Sequence, residues 1–462
     1  MFFRLGVSSI LTAVLALGGR AQVNSLSSHE AEQVDAIVQA VLTASGVPSA
    51  SLAVVTNGKV VFEGAYGHAR IGPARDAQPS MRYSVGSISK QFTAAAVLLL
   101  KEDGKLGLDD PVAKYFPALT RASEVTIRML LSHTSGYSDF WPEDYVMESM
   151  RQPTTAARIM DQWAKRPLDF DPGTKWQYSN TNYVIAGQIV EKVSGKPLFT
   201  VLQERVFGPL EMKSVYDIDR ARLPESDAEG YYRHALGPLR PAPKEGQGWL
   251  TAAGELAMTP DDLARWDISL INRSLLKPAS YAEMFKEVHT KNREGTHYAL
   301  GLAVSSQSGH TVLEHSGEVS GFVAENLVIP DAKSAVVVLT NQDASEAASQ
   351  IAREIRPLLI GRSKEEERAL KIFTGLQNGH LDRSLFTGAC NAYFDQQAMD
   401  DFASSLKPLG EPLGLIKEHE SQRGGMTFRL FRVYFAARDL TVSTYEMPDG
   451  KFEQYLVLPR ER

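Results

Sequence analysis

The sequence predicts an α+β protein: an antiparallel sheet flanked by helices with a mainly helical subdomain, followed by a small α+β C-terminal domain. Three observations carry that prediction. An Asn-Gly pair at 57–58 separates two strand-like runs near the start. Strand-like runs return only after residue 310, and a charged shift in composition at 361–368 precedes a final block of helical and then strand-like segments. At 462 residues and 43% hydrophobic, the chain is long enough for two domains, and the first can bury a substantial core. The divisions read as 1–21 for an export segment, 22–362 for the first domain and 363–462 for the second.

Arg4 supplies a short positive region, Leu5 to Leu17 is mostly apolar, and Gly19-Arg20-Ala21 offers small residues to a signal peptidase, so cleavage is expected after Ala21. The apolar run is shorter than the roughly 20 residues that span a bilayer. No stable membrane insertion is therefore expected after cleavage, and the mature chain is expected in the periplasm or outside the cell. Glu30 to Ala44 has helical periodicity. Ser51 to Thr56 and Lys59 to Tyr66 flank Asn57-Gly58, a pair that accepts the positive φ angles of a tight primed turn, and predict a hairpin. Ser87 to Glu102 is an Ala/Leu-rich helix with Gly104 placed to end it. The region to about residue 275 reads as mainly helical with long loops, marked by Pro172-Gly173 and by Pro238 to Pro243. Thr311 to Glu314, Gly321 to Ile329 and Ser334 to Thr340 then complete one antiparallel sheet from both ends of the domain. In the last domain Glu365 to Gln377 and Gln396 to Leu406 read as helices. Met426 to Phe435, Leu440 to Tyr445 and Lys451 to Leu458 read as a meander.

Composition excludes several functions. A net charge of −6 with no Lys/Arg block argues against binding nucleic acid, which needs a clustered basic face. The single cysteine, Cys390, excludes an intramolecular disulfide and reads as a small core residue. Ten histidines without a paired H-x-x-x-H spacing predict no metal, and no cofactor is expected.

The chemistry starts at Ser87-Ile88-Ser89-Lys90, at the mouth of the apolar helix. Residues at i and i+3 share a helix face, so the Lys90 amine can take the proton of the Ser87 hydroxyl, which is a poor nucleophile without a base. Tyr178-Ser179-Asn180 supplies a phenol and a carboxamide before the helix Tyr183 to Val193. A phenol near a cationic lysine is expected to ionise below its usual value of about 10, and Asn180 to hold lysine and substrate amide together. His315-Ser316-Gly317 ends a strand, with Glu318 next. There a substrate backbone can approach the glycine, and the following amide can point into the site as an oxyanion donor. Each tripeptide alone recurs by chance; the order of the three is what carries weight.

That order and spacing resemble the serine β-lactamase and penicillin-binding-protein superfamily. Within it, the sequence is most similar to the class C β-lactamase-like branch of D-Ala-D-Ala carboxypeptidases, D-aminopeptidases and esterases. The resemblance covers about residues 30–360 and includes the flanks 126–136, 171–182, 248–266 and 298–302. It implies a sheet covered by helices, a helical subdomain, and an active site between them. It also implies Ser87 as the acylated nucleophile, Lys90 as its base and Tyr178 as general acid/base. Asn180 would orient the substrate, and the Ser87 and Glu318 amides would form the oxyanion hole. His315, Ser316 and Gly317 would line the opposite wall.

The resemblance further implies that Ser132-His133-Thr134-Ser135-Gly136 is structural rather than a second Ser/His centre. The third motif departs from the usual Lys-Thr-Gly or His-Thr-Gly, and a histidine is a cation for a lactam carboxylate only if its pKa is raised. D-Ala-type peptides and small esters therefore rank ahead of β-lactams as substrates. A non-catalytic penicillin-recognising protein is the rival from another class. Trp141, Tyr231 and Trp249 are candidates for shaping the pocket. The last domain resembles the nuclear-transport-factor-like units appended to such hydrolases.

Overall fold

The structure, a computed structural model, describes residues 26–307 and 309–460. The expected export segment, 1–21, lies outside the described residues. Strands β1 (Ser49–Thr56), β2 (Lys59–Ile71) and β3 (Ala74–Asp76) join β4 (Ala303–Gln307), β5 (His310–Val319), β6 (Phe322–Ile329) and β7 (Ser334–Thr340) in one seven-stranded antiparallel sheet. Its order is β3-β2-β1-β7-β6-β5-β4, so the chain's early hairpin and late strands meet where β1 pairs with β7, Ala50 opposite Thr340. Asn57 and Gly58 take φ of 52° and 68°, as the hairpin requires.

The central strands are buried on both faces, which is why Ser334–Thr340 reads SAVVVLT rather than alternating with polar residues. Leu52, Val54, Val336 and Val338 face α1 (Ser28–Ser45) and a later helix, α5 (Ala347–Ile360), through Ile37, Val41, Ile351 and Ile355. Ala53, Val55, Val337 and Leu339 face the other way, into the core that holds α2 (Ser89–Glu102), α3 (Asn180–Ser194) and α4 (Pro260–Asn272). Helix α2 is buried all round from Ser89 to Leu100, which is why it carries Ala and Leu on every face. The expected start at Ser87 is refined: a 3-10 turn, Gly86–Ile88, precedes the helix.

The C-terminal part has its own core. The stretch at 361–368 opens a helix: Ser363 and Glu366 form a capping box at the head of α6 (Lys364–Gln377). With α7 (Gly388–Tyr393) and α8 (Gln396–Leu406), it covers a four-stranded meander, β8 (Gly414–Arg423), β9 (Met426–Tyr434), β10 (Asp439–Glu446) and β11 (Phe452–Pro459). Phe373, Cys390, Phe431, Val442 and Tyr455 fill the space between them. The meander docks on α5: Arg432 meets Glu354 at 2.5 Å, and the Tyr434 hydroxyl donates to the Glu354 carbonyl at 3.0 Å.

Strand β8 is an addition to the expected three. Seven of its ten residues lie outside the core, so it lacks hydrophobic alternation, although the Gly424-Gly425 turn after it is a hairpin signal. Among the described residues no helix is long and apolar enough to cross a membrane, and no group of three or more His, Cys, Asp or Glu could hold a metal.

Candidate active site

The 3-10 turn puts Ser87 at the mouth of α2, half-buried, with Lys90 one turn inside and fully buried. Lys90 Nζ lies 2.9 Å from Ser87 Oγ and donates to the Ala253 carbonyl at 2.8 Å. No carboxylate pairs with it among the described residues. Burial pushes the ammonium down to about 7 against a smaller upward pull from Asp139, so near neutral pH about half of the amine is free to accept a proton.

Tyr178 stands on the other side of the serine. Its ring lies 5.0 Å from Lys90 Nζ and 4.3 Å from the His133 ring. Its pKa moves opposite to the sequence expectation. Burial raises the phenol well above its usual value, opposed by the Ser87 hydroxyl it bonds and reinforced by the Asp139 charge. The physical reason is that burial of the phenol itself penalises a phenolate, and this outweighs the neighbourhood of the lysine. The phenol therefore keeps its proton near neutral pH.

Asn180 opens α3. Its backbone N–H donates to Asp139 Oδ1 at 2.9 Å, and its amide nitrogen donates to Asp139 Oδ2 at 3.2 Å and to the Trp141 carbonyl at 3.5 Å. The carboxamide therefore does not hold Lys90, as the sequence suggested. Asp139 claims its donors, and its oxygen accepts no hydrogen bond from the described residues. Burial raises the Asp139 carboxyl, against hydrogen bonds from Trp141 and Asn180 and the Lys90 charge.

The third motif lies on β5, whose backbone touches the nucleophile turn. A methyl group on Gly317 would sit 1.9 Å from the Val85 carbonyl oxygen and 3.0 Å from the Ser87 nitrogen. One on Gly86, at φ +50°, would sit 2.7 Å from the Glu318 nitrogen. Two facing glycines thus bring the Ser87 and Glu318 amides side by side.

His315 is buried, with its ring 6.3 Å from the Tyr178 ring. Its Nδ1–H donates to the Ser316 carbonyl at 2.5 Å, and Nε2 accepts from the Tyr298 hydroxyl at 2.7 Å. Burial, with Lys90 nearby, pushes it down to about 4, so at neutral pH it is uncharged. Ser316 is exposed in a groove beside Tyr178. The Glu318 carboxylate accepts from the Ala344 N–H at 2.7 Å.

The pocket over Ser87 is lined by Asn180, Glu318, Trp141 and Trp249. Tyr231 is not part of it. Its hydroxyl accepts from the Ile71 N–H at 2.8 Å and donates to Glu229. His133 is buried beneath Tyr178, with Nδ1 accepting from the Ser179 N–H at 3.1 Å.

Residues 34–359, most of the chain, match the Beta-lactamase family. The chain belongs to that family. It is a β-lactamase-fold serine hydrolase related to D-amino acid amidases and penicillin-binding proteins. "Protein flp" of Staphylococcus aureus is 28% identical over 354 residues, which cover 73% of this chain and 68% of that protein. A D-stereospecific amidohydrolase from a Streptomyces species superposes with a TM-score of 0.62 at 27% identity, covering 71% of this chain and 99% of that one. An octameric penicillin-binding-protein homologue from Pyrococcus abyssi, with TM-score 0.65 and 22% identity, covers 93% of this chain and 99% of its own. That likeness of fold extends through the C-terminal unit.

Within the Beta-lactamase fold of this chain, the sequence reading missed Asp139, which fixes Asn180, and Tyr298, which occupies His315. Asp139 follows the structural Ser135-Gly136 run and carries no motif of its own. Tyr298 lies in a stretch noted only for its resemblance.

Proposed function

We propose that this chain is an exported serine hydrolase of the class C-like branch that transfers acyl groups through Ser87. Its substrates would be amides and peptides of D-amino acids first, small esters second. The observation that carries the reading is the buried Lys90 amine, 2.9 Å from Ser87 Oγ and held near neutrality. In this reading Lys90 takes the serine proton as Oγ attacks the carbonyl, and the adjacent Ser87 and Glu318 amides receive the oxyanion. The protonated phenol of Tyr178 gives its proton to the departing amine. Water then enters the vacated side, gives a proton to the Tyr178 phenolate as it attacks the acyl carbonyl, and Ser87 Oγ leaves with the proton that Lys90 had taken. Asn180, pinned by Asp139, offers its free oxygen to the N–H of the acyl donor.

Likeness to a D-stereospecific amidohydrolase supports the D-configured amide. The uncharged His315, with both nitrogens engaged inside the protein, supports poor β-lactam turnover, because a lactam carboxylate finds no permanent cation there. The test compares D- and L-amino-acid amides, a D-Ala-D-Ala peptide, a chromogenic ester and a chromogenic cephalosporin, each with the wild type and Ser87→Ala. The reading expects Ser87-dependent hydrolysis with D-amides ahead of the cephalosporin. Hydrolysis that survives in Ser87→Ala contradicts it.

A further inference from the structure

Two separate hollows lie near Tyr178, whose hydroxyl bonds Ser87: the pocket over the serine and a groove. Asn180 and Glu318 line the pocket, and Ser316 and Tyr178 line the groove. A proton donor for the leaving group belongs beside that group, so the groove past Tyr178 is the exit of the departing half. This groove runs on to Gln307 and Arg353. From those two residues a second cavity, of about 920 Å³, continues into the seam between α5, the start of α6 and the edge of the C-terminal sheet.

The walls of the seam are basic, with seven Lys or Arg against four Glu. Most of these pair with one another: Lys417 and Arg429 with Glu420, Arg460 and Arg432 with Glu418. Arg356 does not. It is 9% exposed and makes no hydrogen bond or ion pair with the described residues; Glu366 and Glu314 act on it only from a distance. Glu366 is already taken, accepting from the Ser363 and Lys417 backbone N–H groups. A guanidinium keeps its charge in any surroundings, and a buried charge without a hydrogen-bonding partner is costly unless something else supplies one. Two further lining cations are exposed: Lys364, which makes no ion pair with the described residues, and Arg353, which stands where the two cavities meet and has a 3.9 Å contact with Glu346.

We propose that the seam is an anion subsite that takes a carboxylate on the departing half of an extended peptide. Arg356 is its buried anchor and Arg353 marks its entrance from Tyr178. This gives the C-terminal unit a part in substrate choice, since its sheet edge forms the far wall. The proposal rests on the acyl-transfer reading above.

The test uses the full chain and peptides with one common acyl donor. Their leaving peptides have two to five residues, are capped as C-terminal amides, and end in a Glu side chain or its Gln counterpart. The wild type is expected to favour the Glu member by roughly tenfold in kcat/KM, carried by KM, at one length or more, as a charge-assisted contact to Arg implies. Arg356→Gln should bring that ratio to about one, and Arg356→Lys should restore part of it. Because Arg356 is buried, the exposed Arg353→Gln is the second variant, and it should lower the ratio too. Equal rates for Glu and Gln peptides at every length, or an unchanged ratio in both Gln variants, overturns the subsite. Persistence of hydrolysis in Ser87→Ala would instead overturn the reading beneath it.

Discussion

Lys90 at the floor of the site and Arg432 in the C-terminal sheet are both cations shielded from water, and their surroundings are opposite. Arg432 has Glu354 at 2.5 Å, Asp439 at 3.5 Å and Glu418 at 3.8 Å. Lys90 has a hydroxyl and a carbonyl, and the influence of Asp139 reaches it only through space. Where a charge must be kept, as a clasp between α5 and the meander, the fold surrounds it with carboxylates. Where a charge must be given up, carboxylates are withheld. A guanidinium, which keeps its proton, is thus neutralised by carboxylates in one place, and a lysine amine without such partners is free to lose its proton in the other.

The strongest way to break this comparison is to remove the acceptor. Ser87→Ala and Lys90→Met should each lower kcat/KM for a D-amino-acid amide by at least about 10³-fold. Lys90→Arg should do no better, because a guanidinium cannot surrender its proton. Steady-state hydrolysis reads all three. Next comes Gly317→Ala, which drives a methyl into the Val85 carbonyl and parts the two amides. The expected loss is about 10²-fold or more in kcat, the scale of a missing oxyanion donor.

The comparison sharpens on stability. Arg432→Met leaves the buried Glu354 without its cation and should cost about 3–5 kcal/mol in denaturant unfolding. Lys90→Met removes a buried amine that no carboxylate neutralises and should cost less than Arg432→Met.

The smallest effect is on pH. Only the neutral amine accepts a proton, and its pKa is lowered to about 7. Acylation should therefore fall about tenfold per unit below pH 7 and level off above it. The Asp139 charge raises the Lys90 pKa, so Asp139→Asn should move that acidic limb to lower pH, by less than a unit. A limb that stays in place, or moves up, would remove Asp139 from the account.

Much of this was legible in the chain itself, for physical reasons. The Asn57-Gly58 turn is local, and the buried strand Ser334–Thr340 and the all-round apolar helix α2 announce themselves by composition. Ser87, Lys90, Tyr178 and Gly317 sit in runs whose order is distinctive. What escaped depends on contacts across the fold. Strand β8 is mostly solvated and lacks alternation. Asp139 acts through Asn180, 41 residues on, and Tyr298 through His315. The Tyr178 shift was misread because sequence places a lysine nearby without showing how deeply the phenol is buried. Arg356 looks like any helical arginine until its burial and lack of partners are seen.

The measurement that tests the central claim most directly is the intact mass of the protein, with Ser87→Ala beside it, incubated with penicillin from pH 5 to 9 and sampled from seconds to hours. A slow-turnover adduct confined to the wild type, forming faster up to about pH 7 and then at constant rate, is the predicted result. An adduct that also forms in Ser87→Ala, or one whose rate is flat from pH 5, would contradict a serine activated by a neutral Lys90.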